Sequence, residues 1–375
     1  MKRIFMFVNI DKYFFSHRLP IAQASRKHNV DMSVFAEFTQ PHPQDQIRDF
    51  NFFDTPYKRS SRSIFNYAWE LFKSYKIIKK QKPDLIHAVT IKPIIILGIV
   101  SRLTSTPFIG SFAGLGPAFQ HKTLFSRLRL YCVINILRFI YHRKDVGMIC
   151  QNSEDKKILA NYGLLPLEKI LLISGSGVDI RSYSPQKKQE NNEKYVLMSS
   201  RILLDKGINE FCYAAKQVKR KLGNEIKFLL SGSIDHDSPT FVTELEIKTI
   251  TNENGVEYLG ERDDMPELLA SALVFVLPSY YAEGLPKVLL EAAASGLPII
   301  TTDHPGCRDA IINEETGLLV PIKDRESLAM AIISLLENQE LLEEMGANAR
   351  VLAENSFDDS LVVKNHYSYY NKILE

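Results

Sequence analysis

Short apolar runs alternate with longer stretches in which apolar residues recur every three or four positions. The short runs read as strands: Ile4–Val8, Val30–Phe35, Leu85–Ala88, Phe108–Ser111, Gly147–Gln151 and Ile170–Ile173. Helical periodicity between them covers Leu19–His28, Ser63–Gln81, Pro93–Leu103 and Leu124–Tyr141. The polar stretch Ser184–Lys194, with Pro185 inside it, interrupts the pattern. A second series follows, with strands at Tyr195–Ser199, Ile226–Ser231, Val256–Leu259, Val274–Leu277 and Pro298–Thr301. Its helices are Ile208–Leu222, Phe241–Asn254, Met265–Ala270, Lys287–Ser295, Leu328–Leu336 and Glu340–Glu354. Apolar strands that alternate with helices predict parallel sheets covered on both faces. Two series predict an α/β protein of two doubly wound, Rossmann-like domains, 1–185 and 186–356. Ligands of such sheets bind at the carboxyl ends of the strands, so the site is expected in a cleft between the domains.

Composition agrees with a folded two-domain chain. At 375 residues it exceeds one ordinary core, and 45% hydrophobic with 24% charged residues excludes disorder. The formal charge of +2 hides an asymmetry: residues 1–170 carry a balance of +14 and the remainder −12. The basic half suggests an anionic partner: nucleic acid, an anionic membrane face or a phosphorylated acceptor. Cys132, Cys150, Cys212 and Cys307 form no C-x-x-C, which argues against a zinc site or disulfide framework and fits a reducing cytoplasm. The histidines show no ligand spacing, so no metal is implied. The start, Met1 to Asn9, runs into Asp11 and Lys12 without a small-residue cleavage site and reads as a first strand, not a signal peptide. No apolar run is long enough to span a membrane.

The chemistry concentrates where a buried strand ending at Leu277 meets the loop Pro278–Gly284 and a helix after Pro286. Gly284 permits close backbone approach, and Pro286 suits a helix start. Unpaired N–H groups at that start can hold a diphosphate. Glu283 lies on the loop, and Glu291 lies about one turn into the helix, where a carboxylate can accept two hydrogen bonds from a ribose diol. An ordinary charged loop and helix would share this short pattern. Arg201 and Lys206, after another strand, read by themselves as surface residues at a helix start.

The segment Glu283-Gly284-Leu285-Pro286-Lys-Val-Leu-Leu-Glu291 resembles the E-x7-E motif of family 4 glycosyltransferases, which have the GT-B fold and retain configuration. The resemblance implies that Glu283 lies by the transferred sugar and Glu291 binds the nucleotide ribose. Arg201-Ile-Leu-Leu-Asp-Lys206-Gly207 resembles the family's R-x4-K-G, whose cations neutralise the donor diphosphate. Gly232 and Ser233 resemble the turn under the nucleotide, and Glu261 belongs to a segment resembling the loop beside the base. Ser174-Gly-Ser-Gly177-Val-Asp179 resembles the "NGVD" segment that closes over the donor.

The first half is similar to a narrower group, the bacterial surface-polysaccharide and lipid-linked oligosaccharide transferases. The blocks are Phe15-Ser-His17-Arg18-Leu-Pro20, His87-Ala-Val-Thr90-Ile-Lys92-Pro93 and Ala113-Gly114-Leu-Gly116. Arg18 and Lys92 are expected to meet acceptor phosphates. His17, His87 and Gly114 complete the expected acceptor set, although each histidine could equally be a hydrogen-bonded structural one. Two positions depart from the family: Asn9–Ser16, read as a loop, holds no glycine, and Ala113 stands where many members carry a histidine. The resemblance also implies a last helix, near Phe357–Leu374, that returns to the first domain with Tyr367, Tyr369 and Tyr370 as packing residues.

The resulting expectation is a retaining glycosyltransferase that moves a sugar, N-acetylhexosamine as first choice, from a UDP donor to a polyprenyl-diphosphate-linked sugar. Glu283, Arg201 and Lys206 carry the chemistry, with no cofactor and no metal. Asp235-His-Asp237 is formally a D-x-D motif, but it stands alone. Leu124–Lys144, apolar with basic points, reads as a helix on an anionic membrane face or a buried one with snorkelling cations. That places the protein in the cytoplasm, peripheral to the membrane. The rivals are a sugar-nucleotide epimerase of the same fold and a nucleic-acid-binding protein using the basic half.

Overall fold

A computed structural model describes residues 1–39, 47–58, 63–119, 123–186, 193–236 and 238–375. The chain divides into two compact units. The first comprises Met1–Ser176, Ala282–Gly284 and Asp359–Glu375, and the second Gly177–Tyr281 and Leu285–Asp358. The division at Ser176 falls ahead of the polar stretch that the composition singles out.

The first unit is built on seven parallel strands: β1 Lys2–Ile10, β2 Val30–Glu37, β3 Asn51–Asp54, β4 Leu85–Val89, β5 Phe108–Phe112, β6 Val146–Cys150 and β7 Ile170–Leu172. Their order is β3-β2-β1-β4-β5-β6-β7. Every residue of β4, β5 and β6 is buried, as strands covered on both faces require. Helices α1 Asp11–His17 and α2 Leu19–Gln23 follow β1. Then come α3 Ile64–Gln81, α4 Ile91–Thr104, α5 Leu124–Tyr141 and α6 Ser153–Asn161.

The expected loop Asn9–Ser16 is instead largely helix α1. Phe14 is fully buried beneath it, and Asp11 fixes its start by accepting from Lys12 N (2.7 Å) and Thr39 N (2.6 Å). Helix α6, which lacks strong periodicity, is set by its cap: the Asn152 side chain accepts from Asp155 N at 2.7 Å. Strand β3 escapes prediction because it is short and mostly exposed at the sheet edge.

The second unit carries six parallel strands: β8 Tyr195–Ser199, β9 Lys227–Ser231, β10 Glu257–Tyr258, β11 Val274–Leu277, β12 Ile299–Thr302 and β13 Gly317–Val320. Their order is β10-β9-β8-β11-β12-β13. The helices are α7 Ile208–Leu222, α8 Glu244–Asn254, α9 Met265–Ser271, α10 Lys287–Ala294, α11 Arg325–Leu336 and α12 Gln339–Ser356. Helix α8 starts later than its apolar pattern suggests because Thr243 and Glu246 form a capping box there. Strand β13 pairs Gly317 with Ile299, and a Cβ on Gly317 would stand 2.0 Å from the Ile299 carbonyl oxygen.

Helix α13, Asp359–Leu374, ends the chain and belongs to the first unit. Tyr367 donates to Ile21 O and Tyr369 to Lys169 O, both at 2.7 Å, and the Tyr370 hydroxyl meets His87 Nδ1. All three tyrosines are buried.

Candidate active site

In the second unit the positive charge gathers over the carboxyl edge of the sheet. Strand β8 ends at Ser199, and Arg201 lies in the loop that follows. A 3-10 turn, Leu204–Lys206, passes into α7 through Gly207, whose φ is +84°. A Cβ on Gly207 would stand 2.2 Å from the Pro278 carbonyl oxygen, so the two loops approach this closely only with glycine there. Tyr280 N and Ser279 Oγ donate to Asp205 O at 2.9 and 3.4 Å, and the Thr302 hydroxyl donates to Ser279 O. These bonds lay the loop after β11 against the loop after β8.

The outcome is a cluster around Tyr281. Its ring centre is 5.4 Å from the Arg201 guanidinium carbon and 5.2 Å from Lys206 Nζ. Lys206 is buried, with 5% of its surface exposed. Arg201 Nη1 donates to Asp235 Oδ2 at 2.6 Å. Burial works against the guanidinium charge, but the hydrogen bonds to Asp235 and Tyr281 outweigh it and hold the pKa above the ordinary value. Asp235 is therefore the counter-ion of Arg201. Asp237, the other half of the D-x-D pattern, lies outside the described residues. No cluster of His, Cys, Asp and Glu suited to a metal occurs among the described residues.

The turn at Gly232 lies beside the same loop. Its φ is +149°, and a Cβ there would overlap the Ser200 carbonyl oxygen at 1.6 Å. Gly232 N donates to Gly260 O at 2.8 Å, and its carbonyl accepts from Tyr258 Oη at 2.8 Å. Ser233 O accepts from Ile202 N at 2.8 Å, and Glu261 follows Gly260 on the surface. The structure thus brings Gly232, Ser233 and Glu261 to the edge that carries Arg201.

Helix α10 begins after Pro286, which is its N-cap, and no side chain caps this end. That is the state of a helix start able to take an anion. Leu285 is buried beneath it. Glu291 lies one turn along, 13% exposed, with Lys287 Nζ 3.6 Å from its Oε1. Burial raises its pKa, while Lys287 and a hydrogen bond from Tyr183 pull the other way. Tyr183 is held there by Arg350, whose Nη1 donates to Ile180 O (3.1 Å), Tyr183 O (2.8 Å) and Ala294 O (2.6 Å). Gly177, with φ of +82°, opens this unit, and Val178 N after it donates to Phe357 O at 2.8 Å. Tyr183, Tyr281 and Arg350 escape sequence reasoning because their partners lie far along the chain or are aromatic contacts that no short motif encodes.

In the first unit, Glu283 and Gly284 pack on residues of that unit. Gly114 has φ of +94°, and a Cβ there would stand 2.7 Å from the Glu283 carbonyl carbon. Asn152 Nδ2 donates to Gly284 O at 3.3 Å. His17 is half-buried at the end of α1, stacked on Tyr13 with centroids 4.3 Å apart.

Two expected acceptor contacts, at His87 and Lys92, need correction. His87 is fully buried, and both ring nitrogens are occupied, Nδ1 by Tyr370 Oη at 2.7 Å and Nε2 by Ser111 Oγ at 2.6 Å. Burial, with His366 and Arg18 nearby, lowers its pKa, so it is a neutral core residue. Lys92 is largely buried and lies 3.1 Å from each Glu70 carboxylate oxygen, so its charge is already matched. Arg18, by contrast, is 1% exposed at the α1–α2 junction, and its Nε and Nη2 are buried without a hydrogen-bond partner among the described residues, so its charge is not matched as that of Lys92 is.

Thr90, between β4 and α4, has a backbone geometry that no sequence pattern encodes. Its φ of 72° and ψ of 160° belong to a region that is essentially reserved for glycine. Its hydroxyl is buried without a hydrogen-bond partner among the described residues.

The comparisons with known proteins fall on the same two halves. Residues 3–152 match the Glycosyl transferase 4-like model and residues 179–352 the Glycosyl transferases group 1 model. The chain is 28% identical to the N,N'-diacetylbacillosaminyl-diphospho-undecaprenol alpha-1,3-N-acetylgalactosaminyltransferase of Campylobacter jejuni, over 96% of this chain and 95% of that protein. It is also 28% identical to the UDP-Gal:alpha-D-GlcNAc-diphosphoundecaprenol alpha-1,3-galactosyltransferase of Escherichia coli, over 77% and 75% of the two chains. Among solved structures, sucrose-phosphate synthase from Thermosynechococcus elongatus superposes with a TM-score of 0.80 at 19% identity, covering 100% of this chain and 99% of that one, which is a likeness of fold. Two parallel α/β units, a loop-borne Arg–Lys pair, a carboxylate-bearing helix start and both family matches lead to one conclusion: the chain is a family 4 glycosyltransferase of the GT-B fold.

Proposed function

We propose that this enzyme transfers a sugar, N-acetylhexosamine or hexose, from a UDP donor onto a polyprenyl-diphosphate-linked sugar, with retention of configuration. The observation that carries the donor half is the pair Arg201 and Lys206 gathered on Tyr281 beside the Gly232 turn. A departing diphosphate gains negative charge as its glycosidic bond breaks, and cations already fixed there stabilise it without reorganising. The names of the two relatives, both acting on sugar-diphosphate-undecaprenol, support the acceptor half.

In this reading Glu291 receives the ribose hydroxyls and the start of α10 takes the diphosphate. Glu283 orients the transferred sugar and favours the positive charge developing on it. The acceptor hydroxyl attacks the anomeric carbon on the face that the nucleotide leaves. The carbon–phosphate-oxygen bond breaks, its electrons go to UDP, and a leaving-phosphate oxygen takes the acceptor proton. Ala113 offers no base, which agrees with a proton transfer to the leaving group. The step uses no metal, so chelator should leave the rate unchanged.

The test is a donor panel read by UDP release, with and without a lipid-diphosphate sugar, on wild type, Arg201→Ala and Glu283→Ala. Each variant should lose at least about a hundredfold in transfer while still folded, as removal of one preorganised electrostatic partner does. Near-wild-type transfer in either overturns the assignment. A product isomerised at the sugar in the absence of acceptor would indicate the epimerase instead.

A further inference from the structure

We propose, resting on the donor site assigned above, that Lys287 is a further donor-binding residue: it exchanges Glu291 for the diphosphate when the ribose hydroxyls take the carboxylate. Lys287 thereby selects a nucleoside diphosphate over a nucleoside.

Lys287 stands where helix stability alone places no cation. It is the first residue of α10, at the positive end of the helix macrodipole, where carboxylates stabilise a helix and ammonium groups destabilise it. No side chain caps this end, and the first turn holds no Asp or Glu. The partner lies one turn further on, with Lys287 Nζ 3.6 Å from Glu291 Oε1. A lysine four residues before a glutamate is the less favourable order for such a pair, because each charge then faces the wrong end of the helix. Both groups are also withdrawn from water, with 28% of the lysine side chain and 13% of the glutamate side chain exposed. Desolvation offsets much of what such a pair gains. A diphosphate over the start of α10 reverses these costs, since it suits the dipole and gives the ammonium group a partner at its own end of the helix.

The neighbouring side chains allow the pair to open. Glu291 also accepts a hydrogen bond from Tyr183, so the carboxylate keeps one protein partner when the lysine leaves. Ribose hydroxyls then donate to the oxygen that Lys287 gives up. The other two cations of the site are more firmly held. Arg201 Nη1 donates to Asp235 Oδ2 at 2.6 Å, and Lys206 is buried beside the Tyr281 ring. Lys287 is a compact charge on a flexible four-carbon stem with three donors, suited to moving from a carboxylate to a phosphate. A nucleoside without phosphates must displace the lysine with nothing to receive it. A nucleoside diphosphate supplies both halves of the exchange.

The experiment is calorimetric titration of the whole protein with UDP and with uridine, for wild type, Lys287→Met, Lys287→Arg, Glu291→Gln and Lys287→Met/Glu291→Gln. In Lys287→Met the affinity for UDP should fall about tenfold to a hundredfold, the loss of one charge-assisted contact. Uridine should bind this variant no more weakly than wild type, because no lysine has to be displaced. Lys287→Arg should recover part of the UDP affinity. Should Lys287→Met melt too low to titrate, Glu291→Gln and the double variant carry the same test, because neither holds a buried carboxylate. UDP should bind the double variant about tenfold or more weaker than it binds Glu291→Gln, with uridine equal in the two. Equal loss of UDP and uridine on removal of the lysine would make it a structural partner of Glu291 only. UDP affinity at wild-type level in Lys287→Met would leave it no contact with the donor. Either result overturns the proposal. Wild-type protein that binds neither UDP nor uridine would remove the donor reading itself, and the proposal with it.

Discussion

Replacing Thr90 by glycine should make the enzyme more stable and less active. Thr90 holds φ of 72° and ψ of 160° at the N-cap of α4, a backbone state that costs a β-branched residue about 1–3 kcal/mol. Its buried, unpartnered hydroxyl adds about 1–3 kcal/mol of uncompensated desolvation. Against this, glycine forfeits a methyl group, about 0.8 kcal/mol, and about 0.5–1 kcal/mol of chain entropy. The net gain is roughly 0–5 kcal/mol, centred on about 2–3 kcal/mol. For a unit of this size each kcal/mol moves Tm by about 2–4 °C. Calorimetry should therefore show the transition of the first unit several degrees higher in Thr90→Gly. Thr90→Ala separates the contributions: it removes the hydroxyl but keeps the Cβ and its strain, so it should melt between wild type and Thr90→Gly. Strain that persists at the carboxyl edge of a sheet signals a position held for function, so transfer should fall in both variants, with KM for the acceptor rising more than KM for the donor. A Thr90→Gly protein that melts below wild type would refute the strain argument.

Other expectations follow from the second unit. Tyr281→Ala should raise the donor KM by about tenfold or more, because it frees both cations from their common ring, whereas Tyr281→Phe should keep most of the activity. Glu291 must be ionised to receive ribose hydroxyls, and burial raises its pKa. Donor affinity should thus begin to fall, as pH drops, above the ordinary carboxylate range. Tyr183→Phe, which removes a bond to the carboxylate, should move that loss to still higher pH, and Glu291→Gln should abolish the dependence. By linkage, the raised folded-state pKa means that this carboxyl favours folding below its unfolded pKa, and the contribution is lost as pH rises through the folded value. Gly207→Ala should destabilise by more than about 3 kcal/mol, because φ of +84° and a Cβ 2.2 Å from Pro278 O act together; denaturant melts measure this.

Much of this molecule can be read from local pattern. Apolar runs identify eleven of the strands, because strands covered on both faces are apolar at most of their positions. Arg201, Lys206 and Glu291 are legible for a related reason: each lies a few residues from the glycine or proline that shapes its loop, so spacing along the chain is also spacing in space. Strand β13 shows where pattern stops. Gly317-Leu-Leu-Val is a strand only because Ile299 lies beside it at a distance that excludes a Cβ.

The acceptor residues show the same limit from the other side. His87 and Lys92 have the residue types of phosphate partners, yet both are buried or largely buried with contacts supplied from distant segments, whereas Arg18 is buried with Nε and Nη2 lacking a hydrogen-bond partner among the described residues. Tyr370 and Ser111 close on His87, and Glu70 closes on Lys92. Tyr183 reaches Glu291 only because Arg350 ties two segments together. The sequence by itself determined which positions are apolar and where loops must turn tightly; these depend on forces between near neighbours in the chain. The tertiary structure alone decided which charged groups face solvent, which are matched by a partner, and that Thr90 carries strain. Burial and pairing depend on whatever the rest of the chain brings to a residue, and no local pattern contains that.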